Sequence, residues 1–240
     1  MRVILASMAS SATSSSRVEG VVTQLRQWMF EGKYPPGTAL RELTLARDLS
    51  VSQATVREAL QRLQYTGLVT RTPNVGSVVT RLSVKEVRER VELRALLEVR
   101  AALEASARMG LAEFQQLEKL LGQLEEAVTT DSYYEAAQAD LQFHRYIWEC
   151  SGNETLCRHL ELVTVPLFAF MSIVRSQGLE RLTNTVEGHR PLVDALRQGE
   201  AGRIREEFVK GATSAYGRFL DGERGHAELA AFGLLEPVAR

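Results

Sequence analysis

Apolar residues recur at helical spacing twice within one short stretch, and the rest of the chain is arranged around it. Leu45, Ala46 and Leu49 mark a first helix, the pattern breaks at Ser50-Val51-Ser52, and Val56, Ala59, Leu60 and Leu63 mark a second. Ser52 stands where an N-cap accepts from the free N–H groups of the first turn, and Gly67 with Val69-Thr70 ends the helix and opens a strand. Upstream, Val18, Val21, Val22, Leu25 and Trp28-Met29 predict an amphipathic helix that Gly32 stops. The turn Tyr34-Pro35-Pro36-Gly37 follows, and its prolines forbid helix continuation. Downstream, the β-rich runs 68–71 and 77–80 flank Thr72-Pro73-Asn74-Val75-Gly76 and predict a hairpin.

Beyond the hairpin the period is helical throughout. Arg81-Leu82-Ser83 reads as a linker, and Ser83 with Glu86 as a capping box. Six helices are predicted, over about 84–109, 111–129, 131–151, 153–175, 179–198 and 200–221. Their apolar stripes include Val91, Leu93, Leu96, Leu97 and Leu103 in the first, and Phe114, Leu117, Leu120, Leu121 and Leu124 in the second. The fold class is therefore mainly α, a winged helix-turn-helix domain followed by an antiparallel helical bundle. The domain boundaries are a disordered leader over 1–16, the winged helix over 17–82, the bundle over 83–221 and a loosely attached tail over 222–240.

The first turn of the second helix carries Gln53, Ala54, Thr55 and Arg57 on the side its apolar residues leave free. A recognition helix inserts such residues into the major groove. There Arg bonds guanine bidentately, Gln bonds adenine, and Ala or Thr packs on a thymine methyl. The bland alternative is a helical hairpin inside some other core, with Arg57 and Arg62 a solvated face. Charge favours the first reading. The chain's net charge is only −1, yet residues 17–82 hold nine Lys/Arg against five Asp/Glu, a balance of +4. Arg2 adds one positive charge, which leaves −6 for residues 83–240. Positive charge thus gathers where phosphates would be met.

Other classes recede. Val3-Ile4-Leu5-Ala6 is too short for a signal-peptide core, and the apolar stretch Leu162–Val174 is short and followed by Arg175, so neither a secreted nor a membrane protein is expected. Cys150 and Cys157 form neither a metal pair nor a disulfide framework, which suits reduced thiols in the cytoplasm. Within the bundle, Asp140 and His144 stand at i and i+4, roughly 5–6 Å apart at Cβ on one helix face, and His189 follows two helices later. Carboxylate and imidazole together suit Zn, Ni, Fe or Mn better than Ca. An Asp-His pair at this spacing is also commonly just a hydrogen-bonded pair.

The unit KYPPGTALRE, LARDLSVSQATVREALQRLQYTGLV and GSVV resembles, without gaps over 17–82, the winged-helix domain of GntR-family bacterial transcription regulators. ELRALLEVRAALEASA, DLQFHRYIWECSGNETL and GHRPLVDALRQGEAGRIREEF resemble the helical effector domain of its FadR subfamily, the FCD domain, over roughly 84–221. The resemblance implies a homodimer on a palindromic operator and a small organic-acid effector in the bundle, with repression released by ligand. It also implies a divalent metal held by one Asp and three His. Asp140, His144 and His189 match three of those positions; the fourth falls on Gly211, with Glu207 one turn earlier. Arg94 matches a position whose guanidinium faces the cavity, where it would grip a carboxylate. At the DNA end the family's usual arginines are replaced by Leu43 and Gln53, so Arg41 and Arg47 are expected on phosphates, with Asn74 and Gly76 of the wing approaching the backbone or minor groove. Two other classes compete. One is a metal-dependent hydrolase using Asp140, His144 and His189; the other is a DNA-binding architectural protein with no effector.

Overall fold

The computed structural model describes residues 2–130, 132–176 and 184–220, and the chain forms two compact units, 1–80 and 81–240. The tail expected over 222–240 lies outside the described residues.

In the first unit, helices α1 (Arg2–Phe30), α2 (Glu42–Asp48) and α3 (Gln53–Tyr65) pack with strands β1 (Ala39–Leu40), β2 (Val69–Thr72) and β3 (Gly76–Val79). The predicted turn between α2 and α3 forms, with Ser50 in the left-handed region at φ 53°. The Ser52 hydroxyl accepts from the Thr55 N–H at 3.1 Å and caps α3. Val18, Val21, Val22 and Leu25 of α1 and Val56, Ala59, Leu60 and Leu63 of α3 are all buried, as their spacing requires. β2 and β3 form the wing, turned by Asn74 and Gly76 at positive φ. β1 adds a third antiparallel strand in the order β1-β3-β2; two residues are too few to leave a period in the sequence. The leader expected to lack structure is also corrected, since α1 runs back to Arg2. No Gly or Pro precedes Gly20 to interrupt it.

The second unit holds α4 (Val84–Ser106), α5 (Leu111–Thr129), α6 (Tyr133–Cys150), α7 (Glu154–Ser176), α8 (Asn184–Glu187), α9 (His189–Gln198) and α10 (Ala201–Leu220). The capping box is present: the Ser83 Oγ accepts from the Glu86 N–H at 3.2 Å, and the Ser83 N–H donates to Glu86 Oε2 at 2.9 Å. α4 packs against α6, α7, α9 and α10. Its inward stripe is Val87, Val91, Arg94, Glu98, Ala101 and Ala105, a strict three-four spacing. Leu93 and Leu96, expected inside, are exposed. They sit off that line, and the buried line instead contains a salt bridge and alanines.

The helix predicted over 179–198 is also different. Residues 177–183 lie outside the described residues, and Gly188 separates α8 from α9. Pro191 is tolerated in the first turn of α9, where its missing N–H has no helical partner to lose. By length and composition the Glu154–Arg175 stretch of α7 passes for a membrane span, which counting only Leu162–Val174 missed; most of it is buried in the fold. Pro166 interrupts its ladder, and Arg90 of α4 donates to the carbonyl of Leu162, the residue whose helical partner would be the N–H at 166, at 2.9 Å.

Among the described residues, two apolar clusters fill this unit. One joins Val87 and Val91 to Leu167, Phe170, Met171 and Tyr216; the other joins α5, Phe143 and Ile147 to Leu192, Leu196, Ile204 and Phe208.

Candidate functional site

A cavity of about 540 Å³ in the helical unit takes Met171 and Tyr216 of the first cluster and Leu192 of the second into its wall. Its size falls within the roughly 300–1,000 Å³ range of small-molecule sites. α6 delivers Asp140 and His144 to it from one face, α9 delivers His189 from its first turn, and α4 delivers Arg94. All four are buried. The structure therefore brings together Asp140, His144 and His189, whose donor atoms lie within 4.8 Å of one another.

Hydrogen-bond partners set the chemistry of each group. His189 Nε2 lies 2.9 Å from Asp140 Oδ1, so this nitrogen donates, and its Nδ1 has no partner. His144 Nε2 lies 3.3 Å from Arg94 Nη2 and 3.5 Å from Asp140 Oδ1. Arginine only donates, so His144 Nε2 presents its lone pair and the proton sits on Nδ1. That Nδ1 faces Glu98 Oε1 at 3.1 Å, somewhat off the line of a good hydrogen bond. Glu98 also pairs with Arg94, Oε2 to Nε at 3.2 Å. Arg94 lies over the Phe168 ring, 5.0 Å from its centroid.

The charges hold one another. Burial pushes the Glu98 carboxyl up, but Arg94 and His144 outweigh it and hold it at about 2. Burial likewise raises Asp140, and His189, His144 and Arg175 more than reverse it. Burial works against the charge on Arg94, yet Glu98 leads the groups that raise its pKa above the ordinary value. Tyr216 is pushed up to about 12, chiefly by burial, so it keeps its proton.

The donor set fits a divalent ion. A ligating imidazole needs a partner on its second nitrogen, and Glu98 stands there for His144. Gly211 and Glu207 both line the cavity, Glu207 half-buried, but the close group among the described residues contains neither.

Sequence reasoning missed Glu98, Arg175 and Tyr216. The signal for Glu98 was its spacing from Val87, Val91 and Arg94. For Arg175 it was the position seven residues after Phe168 and four after Met171, one face of one helix.

In the first unit, Gln53, Ala54 and Arg57 are exposed at the start of α3. Thr55 is half-buried, with its hydroxyl 2.8 Å from that of Ser52. Glu42 holds two of these side chains: Arg57 Nη2 donates to its Oε2 at 2.8 Å and Gln53 Nε2 to the same oxygen at 2.9 Å. The Arg57 hydrogen bond is the main reason the Glu42 carboxyl lies below its ordinary pKa. Arg41 and Arg47 are exposed at either end of α2, and Asn74 and Gly76 are exposed at the wing tip.

Residues 17–79 match the family model of bacterial regulatory proteins of the gntR family, and residues 89–208 match that of the FCD domain. A relative in Paenarthrobacter nicotinovorans, described as a probable D-xylose utilization operon transcriptional repressor, is 29% identical over 203 residues, covering 82% of this chain and 87% of its own. The Escherichia coli K12 transcriptional repressor RspR is 30% identical over 177 residues, 73% of this chain and 76% of its own. Among solved structures, E. coli McbR/YncC superposes with a TM-score of 0.69 at 21% identity, over 85% of this chain and 98% of its own. A GntR regulator from Rhodococcus sp. RHA1 does so with 0.62 at 21% identity, over 92% and 100%. With both domain models matched in order along its length, the chain belongs to the GntR family of transcription regulators, in the group that carries an FCD domain, and it is not an enzyme.

Proposed function

We propose that this regulator is a ligand-released repressor that binds a palindromic operator as a homodimer and takes a small organic acid in its helical unit. The cavity carries the effector half of this reading: buried Arg94, Asp140, His144 and His189 meet around open space, where an architectural protein would have a filled core. Arg94 grips a ligand carboxylate, and Asp140, His144 and His189 hold a divalent Zn, Ni, Fe or Mn ion. When bound, such an ion supplies a Lewis-acid position against which an acid can dock.

At the DNA end, Arg57 and Gln53 read base edges, Ala54 and the Thr55 methyl pack on thymine, and Arg41 and Arg47 hold phosphates. Asn74 and Gly76 approach the backbone or minor groove. The Arg57–Glu42 pair is solvent-exposed, the kind of contact a better-matched partner displaces. Exposed Leu93 and Leu96 on α4, with exposed Leu162 on α7, support a dimer formed through the helical units. Repression is favoured by the names of the two relatives. The effector acts by binding one arrangement of the dimer better than another, which shifts the population away from operator-competent forms.

Enrichment of a random duplex pool on the full-length protein tests this. The expected result is two inverted half-sites bound by two chains, with affinity lowered by an acid that also stabilises the protein. One half-site bound by one chain, or affinity indifferent to every stabilising acid, would overturn the reading. Elemental analysis tests the metal: one equivalent per chain, lost in His144→Ala and His189→Ala.

A further inference from the structure

Of the buried charged residues that line the cavity, Arg94, Asp140 and Arg175, only Arg175 has no ion-pair or hydrogen-bond partner among the described residues. It lies near the C-terminal end of α7, is 7% exposed, and lines the cavity. Its Nε has no hydrogen-bond partner, and it forms no ion pair with any described residue. The other buried charges are matched. Arg94 pairs with Glu98, and Asp140 accepts from His189 at 2.9 Å. Asp140 feels the field of Arg175 but does not reach it as an ion pair. Burying a guanidinium without a counter-charge is unfavourable, so the position makes physical sense when something else brings the negative charge.

We infer that the effector carries two anionic groups, one held by Arg94 and the second by Arg175, with the Tyr216 hydroxyl donating between them. This rests on the proposed binding of an acid at Arg94. An acid docked at Arg94 by a single anionic group leaves Arg175 as it stands; a second anionic group reaching Arg175 supplies the counter-charge it lacks among the described residues. Tyr216 is 2% exposed, lines the same cavity, and is close enough to both guanidiniums that each acts on its ionisation. Its phenol stays protonated and able to donate. Phe168, Met171 and Leu192 supply an apolar wall, so the ligand's middle is suited to being hydrocarbon in character. Whether the second anion is a carboxylate or a phosphate is not distinguished by a guanidinium, which forks onto either.

Calorimetric titration of the full chain separates the possibilities. Succinate and glutarate supply two carboxylates, 3-phosphoglycerate a carboxylate and a phosphate, and butyrate a single charge on a similar carbon chain. At least one doubly anionic acid is expected to bind the native protein tenfold or more tighter than butyrate. Arg175→Met, which keeps an apolar stem without the charge, should bring that ratio close to one while leaving butyrate unchanged. Arg175→Lys, which keeps the charge but not the fork, should weaken the doubly anionic acid more than butyrate, and it serves if the methionine variant does not fold. Butyrate binding as tightly as the best doubly anionic acid, or a ratio untouched by both substitutions, would overturn the second anchor and leave the acid effector standing. No binding by any of the four acids would overturn both.

Discussion

Arg90→Ala tests whether the proline in α7 is accommodated by a neighbouring side chain. Pro166 cannot donate to the Leu162 carbonyl, and Arg90 donates to it from α4 at 2.9 Å, with a longer contact of 3.4 Å to the Val163 carbonyl. A hydrogen bond from a charged donor is worth roughly 1.5–3 kcal/mol net. Arg90 is half-buried and Leu162 partly exposed, so water replaces some of it and about 1–2 kcal/mol is the expected loss. The diagnostic quantity is the coupling. In a Pro166→Ala background the N–H at 166 returns to the carbonyl, and the loss on Arg90→Ala should shrink by about 1 kcal/mol. The assay is urea unfolding followed by tryptophan emission with Trp28→Phe in every variant. The chain has two tryptophans, and the other, Trp148, is 1% exposed within the helical unit, so the signal then reports that unit alone. An identical Arg90→Ala loss in both backgrounds would refute the reasoning and reduce Arg90 to a packing role.

Other expectations follow from the site. Glu98→Gln leaves Arg94 buried without its counter-charge and should cost the helical unit about 3 kcal/mol by the same Trp148 assay; a loss within error of zero would mean the pair is not buried in solution. Because the folded-state pKa of Glu98 is lowered from its ordinary 4.5 to about 2, its contribution is full above about 4.5 and is lost as pH falls through 2, and Asp140 acts in the same direction. Native protein should therefore weaken more steeply with acid than Glu98→Gln, as urea midpoints at pH 7, 4 and 3 would show. Gly211→His places its Cβ 3.5 Å from Leu192 Cδ2, an ordinary contact, and should raise affinity for Zn or Ni at least about tenfold in competition with a chelator, as a fourth donor joins three. Arg57→Ala should relax operator preference at one position, whereas Arg41→Ala and Arg47→Ala should weaken all sequences alike and each lower the salt slope by about 1 in quantitative band shifts. Equal weakening of every sequence by Arg57→Ala would refute its base contact.

The parts of this protein that were legible in its sequence are those whose physics is local. The turn between α2 and α3, the Ser52 cap and the Ser83–Glu86 box each depend on residues a few positions apart, and they formed as read. The same holds for Asp140 and His144, one helical turn apart. What escaped was what only packing decides. In α4 the leucine spacing marks an inward face, but Leu93 and Leu96 point out while Arg94 and Glu98 point in. A stripe that buries charges is invisible to a count of apolar residues, although its spacing, 87, 91, 94, 98, 101, 105, is as regular as any. Arg175 escaped for the related reason that a basic residue at the end of an apolar run ordinarily marks the return to solvent.

Both misses lie on the cavity, and they have one physical origin. A helical bundle of this size could close around a single apolar core; this one keeps two apolar clusters with buried charge at their junction. Desolvating Arg94, Glu98, Asp140 and Arg175 works against folding, and their mutual attraction repays it in full for no group but those already paired. A ligand that supplies the absent counter-charge therefore does more than occupy space: it removes an unfavourable term from the folded state. Ligand binding and stability of the helical unit are then linked, and the largest stabilisation on acid binding should belong to the native protein, not to a variant in which Arg175 has been made neutral. That ordering belongs to acids that bring a second anionic group; butyrate, which leaves Arg175 as it stands, should stabilise the native protein and the neutral variant alike.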